Sequence, residues 1–268
     1  MRKLNVVFGV VAATGAAGWL MTLFLAMYWM PRPAKGPVTG QVPVATFAPP
    51  TPQSAPPDIR DAVMLGYNIM KHTDKYAPKY VGNKLSCTNC HFDGGLSMRS
   101  ISLVGVAASY PKFRTRTNYA TDLVSRTNEC FERSMNGHAL PVDSHEMQAL
   151  MTYFAWISKD IPIYSKMPWL GQKKIKSGHT PDAVAGETVY LGRCAACHGG
   201  DGQGTGQGPA VWGAQSYNDG AGMAKVDNLA SFVRGNMPWL TANLSDEQSL
   251  DVAAYVEAQP RPHFQKKR

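Results

Sequence analysis

The chain has 268 residues, with 27 Lys and Arg against 19 Asp and Glu, and its formal charge of +8 invites a nucleic-acid reading. The placement of that charge excludes one. Arg2, Lys3, Arg32 and Lys35 precede residue 58, Arg261, Lys266, Lys267 and Arg268 close the chain, and the 19 acids between Asp58 and Glu257 meet 19 bases (27 − 8), so the body is neutral and offers no phosphate-tracking surface.

From Leu4 to Met30 there is no charged residue for 27 positions, long enough to cross a hydrocarbon core of about 30 Å as a helix. Arg2 and Lys3 ahead of it predict a cytoplasmic start with the rest exported. The run ends on Met27-Tyr28-Trp29-Met30, an interfacial aromatic anchor rather than a small-x-small cleavage site, so an uncleaved transmembrane anchor is expected over 1–30. Residues 31–57 hold nine of the 19 prolines and read as an extended, semi-rigid tether.

A first domain is expected over 58–175, opening on a short amphipathic helix through Ile59, Val63, Tyr67, Ile69 and Met70. It leads into Cys87-Thr88-Asn89-Cys90-His91, and the same pattern returns as Cys194-Ala195-Ala196-Cys197-His198, 107 residues on (194 − 87). C-x-x-C-H is the signature of covalent c-type haem attachment: two thiols form thioethers with the vinyl groups, and the next imidazole ligates the iron. A zinc site needs a fourth ligand at metal spacing and gives no reason for histidine directly after the second cysteine. Two covalently bound c-type haems are therefore expected, one per domain, through Cys87, Cys90 and His91 and through Cys194, Cys197 and His198. Such haems are attached beyond an energised membrane, which places the protein on the periplasmic side of the inner (cytoplasmic) membrane. Four of the five cysteines are thereby used, and Cys130 is left over.

Both domains close alike. Asp143 with Glu146 precedes Leu150, Tyr153, Phe154 and Trp156, and Ser245 with Gln248 precedes Val252, Tyr255 and Val256, each a helix start signal. Gly186 to Arg193, before the second motif, is the counterpart of the first opening helix. The duplicated unit resembles the class I cytochrome c fold, so the architecture is expected to be mainly α, with two tandem domains, the second over 176–268. Gly171 to Pro181 reads as the linker between them.

The sixth iron ligands follow from what comes after each motif. In the second domain Gly199 to Gly206 lets the backbone lie against a porphyrin edge, and Met237-Pro238 nominates Met237 as distal thioether ligand; Met223 is the competitor, without a following proline. In the first domain Cys130 lies 39 residues after His91 (130 − 91), as Met237 lies 39 after His198 (237 − 198). Matching Phe131-x-Arg133 to Phe232-x-Arg234 nominates Met135 instead, and position alone leaves both open. An unpaired thiol in an exported protein is an oxidation liability that coordination as thiolate removes, although a buried inert thiol is the plain alternative.

The block Ser125-Arg126-Thr127-Asn128-Glu129-Cys130-Phe131-Glu132-Arg133-Ser134-Met135-Asn136-Gly137, downstream of the first motif, resembles the dihaem thiosulfate dehydrogenase family, and the likeness runs from about Asp58 to Pro260. It implies an active-site haem ligated by His91 and Cys130, an electron-transferring haem ligated by His198 and Met237, and oxidation of two thiosulfates to one tetrathionate, which some members also run in reverse. It places Arg116, Arg126 and Ser134 at the sulfonate groups, with Lys112 and Gln148 as further candidates. Some relatives have an iron-ligating lysine before the second methionine, where this chain has Asn236. Both substrate and product are dianions. Arg99, Lys112, Arg114 and Arg116 occur with no acid from Ile101 through Tyr119, and Arg126 and Arg133 flank Cys130, cations whose planar forks suit oxyanions or haem propionates. Arg133, matched by Arg234, reads as structural. The implied partners are thiosulfate or tetrathionate, a redox protein or quinol-chain cytochrome, and the membrane through the N-terminal helix. The rival class is a tethered dihaem electron carrier with no substrate of its own; a dihaem peroxidase needs an open iron position, which a ligated Cys130 opposes.

Overall fold

The computed structural model describes residues 47–99 and 101–265. The expected anchor over 1–30 and most of the tether lie outside the described residues, and among these no helix is long and apolar enough to cross a membrane. The protein is mainly helical. In the first domain α1 (Pro57–Lys71) opens with proline at its first position, where the missing N–H costs nothing. The short α2 (Thr73–Tyr76) and the first motif follow, then a two-stranded antiparallel hairpin, β1 (Lys112–Arg114) with β2 (Tyr119–Thr121). Helices α3 (Leu123–Arg133) and α4 (His145–Trp156) complete the domain. The second has α5 (Ala183–Arg193), the one-turn α6 (Ala195–His198), α7 (Val226–Asn236) and α8 (Asp246–Glu257).

The opening and closing helices of each domain cross closely because a glycine sits at each crossing. A Cβ on Gly66 in α1 would lie 2.3 Å from the Ala149 carbonyl oxygen of α4, and one on Gly186 in α5 would lie 2.0 Å from that of Asp251 in α8. Around the first crossing Val63, Ile69, Met147, Leu150 and Tyr153 are buried; around the second, Tyr190, Val252, Ala253 and Val256. Ser245 and Gln248 form the expected capping box of α8. The cap of α4 is Ser144, which accepts from Met147 N–H, and not Asp143; the serine is correctly placed one residue before the helix begins.

The stretch read as the interdomain linker is pinned to the second domain. Lys174 bonds Asn228, Ile175 packs into the second core, and His179 Nε2 lies 2.6 Å from Asp251 Oδ1. The two haem domains also share a polar seam: Asn83 Nδ2 donates to the carbonyls of Ser134 (2.9 Å) and Ser216 (3.0 Å), and Asn218 Nδ2 to that of Glu132 (3.0 Å).

Candidate functional site

Helix α3 carries the centre of the first site. Asp122 caps it by accepting from Ser125 N–H at 2.6 Å, while Thr127 and Phe131 face the core. Arg126 and Cys130 are four residues apart and so share a face, and Arg126 Nη1 donates to Cys130 Sγ at 2.9 Å. Glu129 Oε2 lies 3.8 Å from the same nitrogen and 3.2 Å from Arg114 Nη1, tying the hairpin to the helix. Negative charge on Cys130 pushes the Arg126 guanidinium above its usual range, against the opposing effect of burial. Crowding shows in the other bases: burial, then Arg114 and Arg126, lowers Lys112, and burial, then Arg133, lowers Arg116.

The first motif is held beside this cluster. Thr73 Oγ1, itself anchored to the Ile69 carbonyl at 2.8 Å, accepts from Cys87 N–H at 3.1 Å. Burial pushes Cys87 up to about 11 and Cys90 up to about 12, and charge on Cys130 contributes to both shifts, so Cys130 lies in the same neighbourhood. His91 Nδ1 lies 2.7 Å from the Ile101 carbonyl, which fixes the proton there and leaves Nε2 as the free lone pair; burial lowers its pKa to about 4.

The remaining expected residues divide. Ser134 caps the end of α3, its N–H on the Cys130 carbonyl at 2.8 Å. Arg116 Nη1 donates to the Gly220 carbonyl of the second domain at 3.0 Å, and Arg133 Nη1 to the same oxygen at 3.2 Å. Arg133 also stacks on Phe264 at 4.3 Å, consistent with a structural part. Gln148 is exposed on α4, and among the described residues no hydrogen bond or ion pair joins it to the cluster. Met135 is 3% exposed, packed with Leu85, Tyr217 and Ala221 in the seam. Two residues escaped sequence reasoning. Glu129 had a signal, its i,i+3 spacing from Arg126. Tyr110 had none: its ring sits 4.8 Å under Lys112 Nζ, and burial raises its pKa while Arg126 and Arg114 oppose the shift.

The second site is a cavity of about 830 Å³ whose wall includes Cys194, Cys197, His198 and Met237. Tyr190 OH donates to the Gly199 carbonyl at 2.7 Å, holding the turn after the motif, and His198 Nδ1 lies 2.8 Å from the Pro209 carbonyl, so Nε2 is again the free nitrogen. Thr88, Cys90 and Phe92 of the first domain also line this cavity, and Phe92 packs against Trp239 and Phe232 with ring centroids 4.8 and 5.6 Å away. Met223 lines it too. Asn236 is 2% exposed and turns back to donate to the Phe232 carbonyl at 2.8 Å. Paired thiols, an imidazole oriented by its Nδ1 contact with a backbone carbonyl, and a largely apolar cavity fit the porphyrin that the motifs imply.

Tandem helical domains with these attachment sites define a dihaem c-type cytochrome. Residues 73–163 match the family model described as SoxA/TsdA, cytochrome c domain, and 183–259 match that described as Cytochrome c. A thiosulfate dehydrogenase of Thiomonas intermedia is 40% identical over 227 residues, 81% of this chain and 72% of that protein. One of Allochromatium vinosum is 34% identical over 261 residues, 93% of each chain. The solved thiosulfate dehydrogenase TsdBA of Marichromatium purpuratum, in its as-isolated form, superposes with a TM-score of 0.76 at 30% identity; the match covers 82% of this chain but 52% of that one. The chain belongs to the thiosulfate dehydrogenase family and carries two covalently attached c-type haems.

Proposed function

We propose that this protein oxidises two thiosulfates to one tetrathionate at the first haem site, with His91 and Cys130 on that iron and His198 and Met237 on the other. The observation that carries the reading is the 2.9 Å contact of Arg126 with Cys130, set among Lys112, Arg114, Arg116 and Arg133. Joining two dianions brings like charges together, and these fixed cations offset that repulsion. Arg126 and Arg116 hold the sulfonates, with Ser134 as a hydroxyl donor.

Cys130 is also the reacting sulfur. Its sulfur would leave the iron and bond to the sulfane sulfur of the first thiosulfate, and forming that bond releases two electrons. The sulfane sulfur of a second thiosulfate then attacks the same atom, expels the Cys130 thiolate and closes the central S–S bond of tetrathionate. The two haems, when bound, accept one electron each, matching a two-electron reaction without releasing radicals. Reactant and product present the same sulfonates to the same cations, so the site also serves tetrathionate reduction.

The second haem, when bound, would supply the exit for electrons to a redox protein or quinol-chain cytochrome, a route supported by Phe92 lying in the wall of its cavity and by Trp239, 54% exposed beside Met237. The protein works on the periplasmic face of the cytoplasmic membrane, held by the helix expected over 1–30; the mass of the mature N-terminus tests that anchor. The reaction is tested by mixing holoprotein with thiosulfate and ferricyanide and following tetrathionate. Absence of turnover in a protein that still exchanges electrons with other redox proteins would leave the carrier reading.

A further inference from the structure

Arg261, in the segment after α8, is a buried cation with open donors. Its side chain is 6% exposed. Nη2 donates to the Val256 carbonyl at 2.8 Å and lies 3.3 Å from Glu257 Oε1, and the guanidinium lies 4.5 Å from the centre of the Tyr217 ring. Nε and Nη1 are buried and meet no acceptor among the described residues. A buried guanidinium in that state is strongly disfavoured unless an anion answers it. Glu257 does so only in part, because Oε1 faces Nη2 and also accepts from Tyr217 OH at 2.7 Å.

The neighbours say where the missing acceptor lies. Of the residues that Arg261 meets, Tyr217 and Val256 are wall residues of the cavity that holds Cys194, Cys197, His198 and Met237. A c-type haem is fixed by its vinyl edge to the cysteines, so its opposite edge carries two propionate carboxylates that need partners inside the protein. We propose that Arg261 is such a partner: one of its open donors holds a propionate of the second haem. Guanidinium is suited to this, staying charged at any working pH and binding carboxylate by charge-assisted hydrogen bonds. The pairing also gives Arg261 a part in tuning the haem, since a cation beside the porphyrin favours the ferrous state over the ferric.

The test is a spectroelectrochemical titration of holoprotein resolving the two haems, on Arg261→Gln and Arg261→Lys. The control is Arg234→Gln, which removes one positive charge from an exposed pair with Asp246 (44% and 45% exposed). The expected result is a fall in the midpoint potential of the second haem in Arg261→Gln, partly restored in Arg261→Lys and absent or smaller in the control. Resonance Raman propionate bending modes of that haem should shift in parallel. Unchanged midpoints and modes in Arg261→Gln, or a shift confined to the first haem, overturn the proposal; if that variant does not load haem, Arg261→Lys decides by the same Raman modes. The readout depends on attachment of the second haem and not on thiosulfate turnover, so an enzyme inactive toward thiosulfate would leave it standing.

Discussion

Arg126 is the residue whose replacement tests the proposed chemistry most directly. At 2.9 Å from Cys130 Sγ, a full charge pair at an effective dielectric of about 20 has a gross attraction of about 6 kcal/mol, which desolvation of both partners reduces. Charged hydrogen bonds contribute about 1.5–3 kcal/mol net, so Arg126→Gln should lower kcat/KM about 10- to 150-fold. Arg126→Lys keeps the charge but replaces the planar guanidinium with a compact ammonium that cannot pair an oxyanion through two parallel N–H groups, and should lose about tenfold. Neither change should unfold the domain, because the Arg126 side chain is 34% exposed and its ion pair with Glu129 is long at 3.8 Å. The assay is steady-state thiosulfate oxidation with ferricyanide, scaled to haem content and accompanied by thermal melts. Wild-type kcat/KM in Arg126→Gln, with both haems attached and an unchanged melt, would refute the reasoning.

Cys130→Ala should retain both haems, since neither attachment motif is touched, yet lose tetrathionate formation and the added sulfur mass that wild-type protein should show after thiosulfate treatment. Gly66→Ala should destabilise the first domain and Gly186→Ala the second, because each new Cβ would lie 2.3 or 2.0 Å from a backbone oxygen. Overpacking of about 1–3 kcal/mol exceeds the gain of about 1 kcal/mol in helix propensity, and separate melts of the two variants check it. The hydrogen bond that His179 donates to Asp251 raises the pKa of His179. That pair therefore contributes stability fully below the unfolded histidine pKa of about 6.5 and loses it as pH rises through the higher folded value. His179→Gln should flatten this part of the melting temperature's pH dependence, and an unaltered slope would count against the pair.

The duplicated scaffold was legible because its signals are local. C-x-x-C-H, the Ser245 and Gln248 pair and the apolar spacing of α1 each specify structure within a few residues. The hairpin was not legible: three-residue strands bearing Lys112, Phe113 and Arg114 opposite Tyr119, Ala120 and Thr121 are too short for alternation to show. The path of residues 171–181 escaped for another reason, since its order comes from contacts with Asn228, Ser231 and Asp251, more than 50 positions away. Cations were visible in the sequence, but their division was not. Arg116 and Arg133 meet on the Gly220 carbonyl at the seam, whereas Arg126 meets Cys130, and only the fold brings those partners together.

The equal spacing of Cys130 and Met237 from their histidines conceals a structural difference between the two domains, one that would account for the two chemistries proposed for them. Helix α3 begins 32 residues after His91 (123 − 91), and α7 begins 28 after His198 (226 − 198). Each helix is 11 residues long. The first connection is thus four residues longer (32 − 28), about one helical turn. A residue 39 positions past the histidine therefore falls beyond the helix end in the second domain and one turn inside the helix in the first. Met237 caps α7, and its long side chain can reach from there. A residue within a helix has neighbours at i ± 4 on its own face, so a cysteine embedded in α3 brings Arg126 against its sulfur. The corresponding position before Met237 is Val233, an apolar wall residue of the cavity. The longer connection also contains the hairpin that delivers Lys112 and Arg114. One extra turn of spacing therefore changes the surroundings of that position from apolar to cationic, as the proposed division between a site for dianions and a site for passing electrons requires.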